Sequence, residues 1–265
     1  MEMNQIFNQT SENMSNIPDN SVDIIVTSPP YNINISYGNH TKKGKIISSK
    51  GKKYKDKLEE EQYQLMLNNV FQECKRVLKK NGSIWINIKN RLIKGEINPP
   101  FWLMNYFQDM HLQNLLIWNF DWGGSTNKRF APRYEFVFWY INNPKDFTFN
   151  IEDVKIPALN YRPDRYKSQL KNPSDVWRIP MVSGNFEERT NHPAQYPEAL
   201  IKRIILAGSN VGDIVLDPFM GSGTTAVVAK KLNRKYLGYE LEDEYIQIAN
   251  QRLDNSQWGE LLNEN

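Results

Sequence analysis

The chain holds a single cysteine, Cys74, in 265 residues, so no internal disulfide framework can staple it, and a reducing compartment suits it. It has no apolar run near the roughly 20 residues that a bilayer-spanning helix needs. The opening Met1-Glu2-Met3-Asn4-Gln5 offers neither the basic stretch nor the apolar stretch of an export signal. The expectation is a cytoplasmic protein with no membrane partner. No segment repeats another, which argues against a solenoid or propeller. A uniformly basic surface is also missing, because the net charge is only +3. Residues 42–57 carry eight lysines, among them Lys42, Lys43, Lys52 and Lys53, against the one acid Asp56, so the remainder of the chain is net acidic.

What is present is enough for a full core. Hydrophobic residues make up 40% and charged residues 24%, which suits one α/β domain or such a domain with an inserted module. Residues 5–10 read as a short strand, 11–16 as a weak helical segment and 22–27 as a buried strand. Residues 32–57 lack apolar periodicity and read as a mobile loop. Tyr63, Met66, Leu67, Val70, Phe71, Cys74, Val77 and Leu78 recur at helical spacing, and Asn81-Gly82 reads as the left-handed cap that closes the helix. Cys74 falls on the buried face of that helix, so packing is its expected role. Strands are expected at 83–88, 115–119 and 134–140, with a helix at 100–109. From 142 to 192 the pattern breaks up among prolines, cations and aromatics. Regular structure returns with a helix from Pro197 to Gly208, a strand at 213–217, a helix at 224–232, a strand at 235–240 and a helix at 243–253. The tail from Asn255 reads as frayed.

Two stretches carry chemistry. The first, Thr27-Ser28-Pro29-Pro30-Tyr31-Asn32, directly follows the β-branched run at 22–26. Consecutive prolines end a strand, since they have no N–H to donate to the ladder. The result is a stiff tip bearing a hydroxyl, a carbonyl and an aromatic ring, a set suited to a planar ring with an exocyclic amine. A plain strand-ending turn accounts for the same residues, so this stretch alone does not decide.

The second, Asp217-Pro218-Phe219-Met220-Gly221-Ser222-Gly223-Thr224-Thr225-Ala226, joins a strand to a helix. Glycines there let backbone approach a ligand at a helix N-terminus. Glu240 ends the next strand, where a βαβ unit places a carboxylate on ribose hydroxyls. No lysine follows Gly223, so this is not a P-loop. Asp217 would oppose a pyrophosphate and attract an ammonium group. A ligand with ribose at one end and an α-amino group at the other fits both acids: S-adenosylmethionine.

Together these motifs resemble those of the amino-methylating DNA methyltransferases of the permuted class, in which the catalytic half precedes the cofactor half. Leu78-Lys79-Lys80-Asn81-Gly82-Ser83, Arg133-Tyr134-Glu135 and His192-Pro193-Ala194-Gln195-Tyr196-Pro197 extend the resemblance. It implies a Rossmann-like, seven-stranded, mostly parallel sheet with helices on both faces, plus a small irregular target-recognition insert. Residues 1–141 would be the catalytic half with its basic loop 32–57. Residues 142–192 would be the insert, 193–255 the cofactor half and 256–265 a tail. The first strand would lie beside the one ending at Glu240. Where the family commonly has Gly-Asp at the end of that first strand, against the cofactor adenine, this chain has Asn8-Gln9.

The resemblance also assigns roles. Ser28, Pro29, Pro30 and Tyr31 would be catalytic. Asp217, Phe219, Gly221, Gly223, Thr224, Glu240, His192 and Gln195 would hold S-adenosylmethionine. Lys42, Lys43, Lys52, Lys53, Lys128, Arg129, Arg162 and Arg165 would contact double-stranded DNA. No metal is implied. The expected reaction is methyl transfer to N4 of cytosine in duplex DNA after base flipping, in a restriction-modification system with a cognate endonuclease, by a monomer or homodimer. Adenine N6 is the alternative target, and an RNA or protein substrate is a more distant one. Two other classes stay open: a nucleotide-dependent oxidoreductase reusing the glycine loop, and a non-catalytic DNA-binding module.

Overall fold

A computed structural model describes residues 1–33, 40–42, 45–47, 56–125, 127–158, 169–182 and 186–262. Eight strands form one sheet: β1 (Gln5–Phe7), β2 (Val22–Thr27), β3 (Leu78–Ile88), β4 (His111–Asn119), β5 (Tyr134–Ile141), β6 (Val176–Arg178), β7 (Ile214–Asp217) and β8 (Lys235–Tyr239). Their order across the sheet is β1-β8-β7-β2-β3-β5-β4-β6. Only β5 runs against the others. Seven strands were expected. The eighth, β6, comes from the 142–192 region and pairs parallel with β4 through Val176↔Ile117 and Arg178↔Asn119. No periodicity could flag a three-residue edge strand.

The helices are α1 (Glu60–Val77), α2 (Glu198–Gly208), α3 (Thr224–Lys231) and α4 (Asp243–Asp254). Alternation along β2 and β3 divides the core into two faces. Ile25, Ile84 and Ile86 pack with Tyr63, Leu67, Val70, Phe71 and Cys74 of α1. Ile24, Val26 and Trp85 point the other way, into the layer of Ile201, Ile204, Ile205 and Val228 from α2 and α3. A strand buried on both faces reads as an apolar run without alternation, as Ile24-Ile25-Val26 of β2 does. Trp85 and Trp139 form a cross-strand pair with stacked rings 4.4 Å apart.

Several expectations are corrected. Residues 11–16 form turns and 100–107 a 3-10 helix. Asn81-Gly82 does not cap α1, which ends at Val77 and passes straight into β3. The Asn20 and Ser21 amides take the carbonyls of Arg76 and Val77, so the helix end needs no glycine. Gly82 instead lets strands approach, since a Cβ there would lie 2.8 Å from the Asp23 carbonyl oxygen. The tail is packed as far as Leu262: the Gly259 and Leu261 amides reach the carbonyls of Lys230 and Lys231, and Glu260 pairs with Lys231 at 3.0 Å. Within 32–57, the described residues include two short antiparallel strands, His40–Lys42 and Lys45–Ile47. Among the described residues no helix is long and apolar enough to cross a membrane.

Candidate active site

β7 and β2 are parallel neighbours, paired through Val215↔Ile24 and Leu216↔Ile25. From β7 the chain leaves through α3 to β8 on one side; from β2 it leaves through α1 to β3 on the other. The diverging loops open a crevice at the strands' carboxyl ends. A cavity of about 560 Å3 fills it, lined among others by Ser28, Pro29, Pro30, Tyr31, Gly221 and Glu240. That size lies in the ordinary range of about 300–1,000 Å3 for small-molecule sites.

At one end of the cavity lies the glycine loop. Gly221 and Gly223 have φ of 52° and 82°, the left-handed region that other residues enter only with strain. A Cβ on Gly221 would fall 2.9 Å from His192 Nε2, and one on Gly223 would fall 2.6 Å from the Ala249 Cβ. The Glu240 carboxylate accepts the Gly221 and Glu242 amides, each at 2.8 Å. Burial pushes its pKa up to about 7, against the lowering effect of those amides. Phe219, Thr224, His192 and Gln195 also line the space. The His192 ring stands edge-on to Tyr245 at 4.5 Å. Gln195 uses its own amide to hold the 188–190 turn, accepting from the Thr190 amide and hydroxyl and donating to the Glu188 carbonyl. Asn8 turns to Asp243, 2.7 Å away, while Gln9 and Thr10 face the cavity.

Asp217 lies behind the cavity wall. Its carboxylate, fully buried, does not line the cavity where an ammonium group could meet it. It accepts the Thr27 hydroxyl (2.7 Å), the Thr225 hydroxyl (2.7 Å), Tyr196 Oη (2.8 Å) and the Phe219 amide (3.0 Å). It ties the tip of β2 to the glycine loop and to residue 196.

At the other end, Ser28 Oγ and Tyr31 Oη are 2.9 Å apart, and Tyr31 Oη donates to Glu135 Oε2 at 3.3 Å. Asn87 Nδ2 donates to the same oxygen at 2.6 Å. Burial raises the Glu135 pKa, opposed by Lys89, Asn87 and Tyr31. The Pro30 carbonyl accepts from Tyr63 Oη at 2.8 Å. Tyr31 is not the open platform its sequence suggests: it is only 4% exposed, with Lys89 Nζ 4.5 Å from the ring centroid.

The sequence alone points to neither Asn87 nor Lys89, and it shows Thr27, Glu135 and Tyr196 only as parts of motifs, with no role of their own. The available signal was an acid at the second position of the otherwise apolar strand β5. The expected DNA contacts are scattered. Lys128 and Arg129 are exposed on the 120–133 loop. Lys42 ends a short strand; Lys43, Lys52, Lys53, Arg162 and Arg165 lie outside the described residues.

A family model described as DNA methylase matches residues 22–251. Type II methyltransferase M.BglII from Bacillus subtilis is 37% identical over 95% of this chain and 69% of its own length. DNA adenine methyltransferase YhdJ from Escherichia coli (strain K12) is 36% identical over 91% of this chain and 79% of its own. Among solved structures, PvuII DNA methyltransferase (cytosine-N4-specific) superposes with a TM-score of 0.71 at 19% identity, covering 100% of this chain and 91% of that one. The M1.HpyAVI–SAM complex gives 0.63 at 24% identity, with 94% and 98% covered.

Proposed function

Because the chain belongs to the DNA methylase family, we propose that it transfers a methyl group from S-adenosylmethionine to the exocyclic N4 of cytosine in duplex DNA, as the modification partner of a restriction endonuclease. One observation carries this reading: the Ser-Pro-Pro-Tyr tip and the Glu240–glycine-loop cradle open onto one cavity. The cradle suits a nucleoside, with no Cβ at Gly221 on the cavity wall and a Glu240 carboxylate that keeps acceptor capacity for a ribose diol. When bound, S-adenosylmethionine supplies an electrophilic methyl group on its sulfonium. Gly221, Phe219, Thr224, His192 and Glu240 hold and orient it; Gly223 packs against Ala249, and Asp217 acts only by positioning the loop.

The chain's other task is to orient the amine. With Glu135 ionised, the Tyr31 hydroxyl donates to it, so Ser28 donates to Tyr31 Oη. That leaves the Ser28 oxygen as an acceptor on the cavity side, where it and the Pro29 carbonyl would take the two N–H bonds of an extruded base and leave the nitrogen lone pair pointing at the methyl group. The methylated nitrogen then gives up one of its protons to solvent as the product leaves, and catalysis is otherwise orientation and exclusion of water. Ser28 at the motif's first position favours cytosine by family resemblance. Adenine N6 is the second reading, favoured by the 36% identity to the relative named a DNA adenine methyltransferase. Tritium transfer to plasmid DNA, followed by nucleoside mass spectrometry, distinguishes them: N4-methylcytosine is expected, N6-methyladenine would replace the base assignment, and unlabelled DNA would defeat the reading.

Glu240 gives a pH signature. Its ionised form accepts the ribose hydroxyls, and its pKa in the free protein is about 7. Affinity for S-adenosylhomocysteine should therefore rise with pH, by about 10-fold between pH 6 and 8. In Glu240→Gln binding should be weak and nearly flat across that range. A wild-type profile that is flat, or that falls with pH, by calorimetry would contradict the role.

A further inference from the structure

The 120–133 loop joins β4 to β5. β4 is parallel to β2, so this loop leaves the sheet at the same edge as Ser28-Pro29-Pro30-Tyr31. Its return limb leads directly into Glu135, which receives the Tyr31 hydroxyl. Phe130 is five positions earlier, so its Cα is within roughly 18 Å of the Glu135 Cα.

Two large aromatics on this loop face solvent: Phe130 is 100% exposed and Trp122 76%. One exposed ring needs no explanation. Two on a loop whose base is laced are different. Arg133 Nη1 and Nη2 hold the Gly124 and Gly123 carbonyls at 3.1 Å, Asn119 Nδ2 donates to the Arg133 carbonyl at 2.9 Å, and Arg178 pairs with Asp121 at 2.8 Å. Gly123, at φ +147°, makes room for that guanidinium, since a Cβ would lie 3.1 Å from Nη1. The base of the loop is held in place, and Phe130 stands outside it in solvent. Lys128 and Arg129 immediately precede Phe130 and are exposed too, so the tip is aromatic with cationic shoulders. A polyanion with a stacked interior matches that chemistry: phosphates for the cations, a base step for the ring.

We propose that Phe130 is a wedge, entering the duplex at the step the target base vacates while Lys128 and Arg129 contact flanking phosphates. This rests on the DNA methyltransferase reading above. Extrusion removes stacking and pairing from the target, and a ring inserted beside the gap replaces part of that stacking. The wedge contributes to moving the base and has no part in the chemical step.

The recognition sequence is first mapped from the methylated positions in plasmid DNA. Two duplexes carrying it are then compared, one with the target base paired and one with the target opposite an abasic site. Phe130→Ala should lose about 10- to 100-fold in methyl transfer to the paired duplex and under about 3-fold on the abasic one, where extrusion is already easy. Phe130→Leu, which keeps an apolar wedge, should retain most activity, and S-adenosylhomocysteine affinity should be unchanged in both. Equal loss on the two duplexes would make Phe130 an ordinary contact and overturn the wedge. So would undiminished transfer by Phe130→Ala, or a change in its sedimentation showing that the ring covers a second copy of this chain. Failure of the wild-type protein to methylate any DNA would bring down the underlying reading instead, and the wedge with it.

Discussion

Replacing Ser28 by Ala, or Tyr31 by Phe, is expected to lower methyl transfer by about 100- to 1,000-fold, the range seen when one preorganised polar group is lost from an active site. S-adenosylhomocysteine affinity should stay within about 2-fold of wild type, since neither side chain belongs to the Glu240 cradle; a shift that small is negligible on the free-energy scale. The reason is directional. With Glu135 ionised, it fixes which way the Tyr31 proton points, Tyr31 then takes the Ser28 proton, and the serine oxygen is left as an acceptor. Tyr31→Phe keeps the ring under Lys89 and removes only the relay, so its effect tests the relay and not the packing. Steady-state kinetics with labelled cofactor reads the result. If either variant kept near-normal turnover, the pocket assignment would be wrong.

Asp217→Ala should be the most destabilising single change at the site. Four donors lose their shared acceptor: Thr27, Thr225, Tyr196 and the Phe219 amide. Buried groups left unpaired cost about 1–3 kcal/mol each before relaxation. Two of these donors can turn to each other, because Tyr196 Oη and Thr225 Oγ1 are already 2.6 Å apart. A net loss of about 3–5 kcal/mol follows, or roughly 6–20 °C in melting temperature for a domain of this size. Calorimetry of the ligand-free protein reads it. A variant that melted with wild type but failed to bind S-adenosylhomocysteine would restore Asp217 as a direct ligand contact and contradict the structural role given to it here.

The sheet was legible because its central strands carry short apolar runs, Ile24-Ile25-Val26 and Ile214-Val215-Leu216, and its helices are periodic. The Val22–Thr27 and Ile214–Asp217 strands and all four α-helices lie within a residue or two of where the sequence places them, apart from the beginning of α1 and its boundary with β3. That boundary failed for a physical reason: amides from residues 20 and 21, distant in sequence, cap the helix. The edge strand Val176–Arg178 depends on a partner, β4, and not on its own pattern. The two ends of the site were visible as motifs, since proline and glycine report directly on backbone shape. What joins them was not. Thr27, Tyr196 and Thr225 meet around Asp217 from separated segments, and Glu135 reaches Tyr31 across 104 positions. Nothing in local spacing marks such partners. Asp217 was visible as an acid beside the loop, but its burial depends on tertiary packing.

The central claim is that the two strand tips share one ligand. The crystal structure of the protein with S-adenosylhomocysteine tests it most directly. The account expects the ribose hydroxyls on Glu240, the nucleoside across Gly221, and the sulfur turned toward Ser28 and Tyr31. Ligand bound outside this crevice, or with its sulfur facing away from the proline tip, would contradict it.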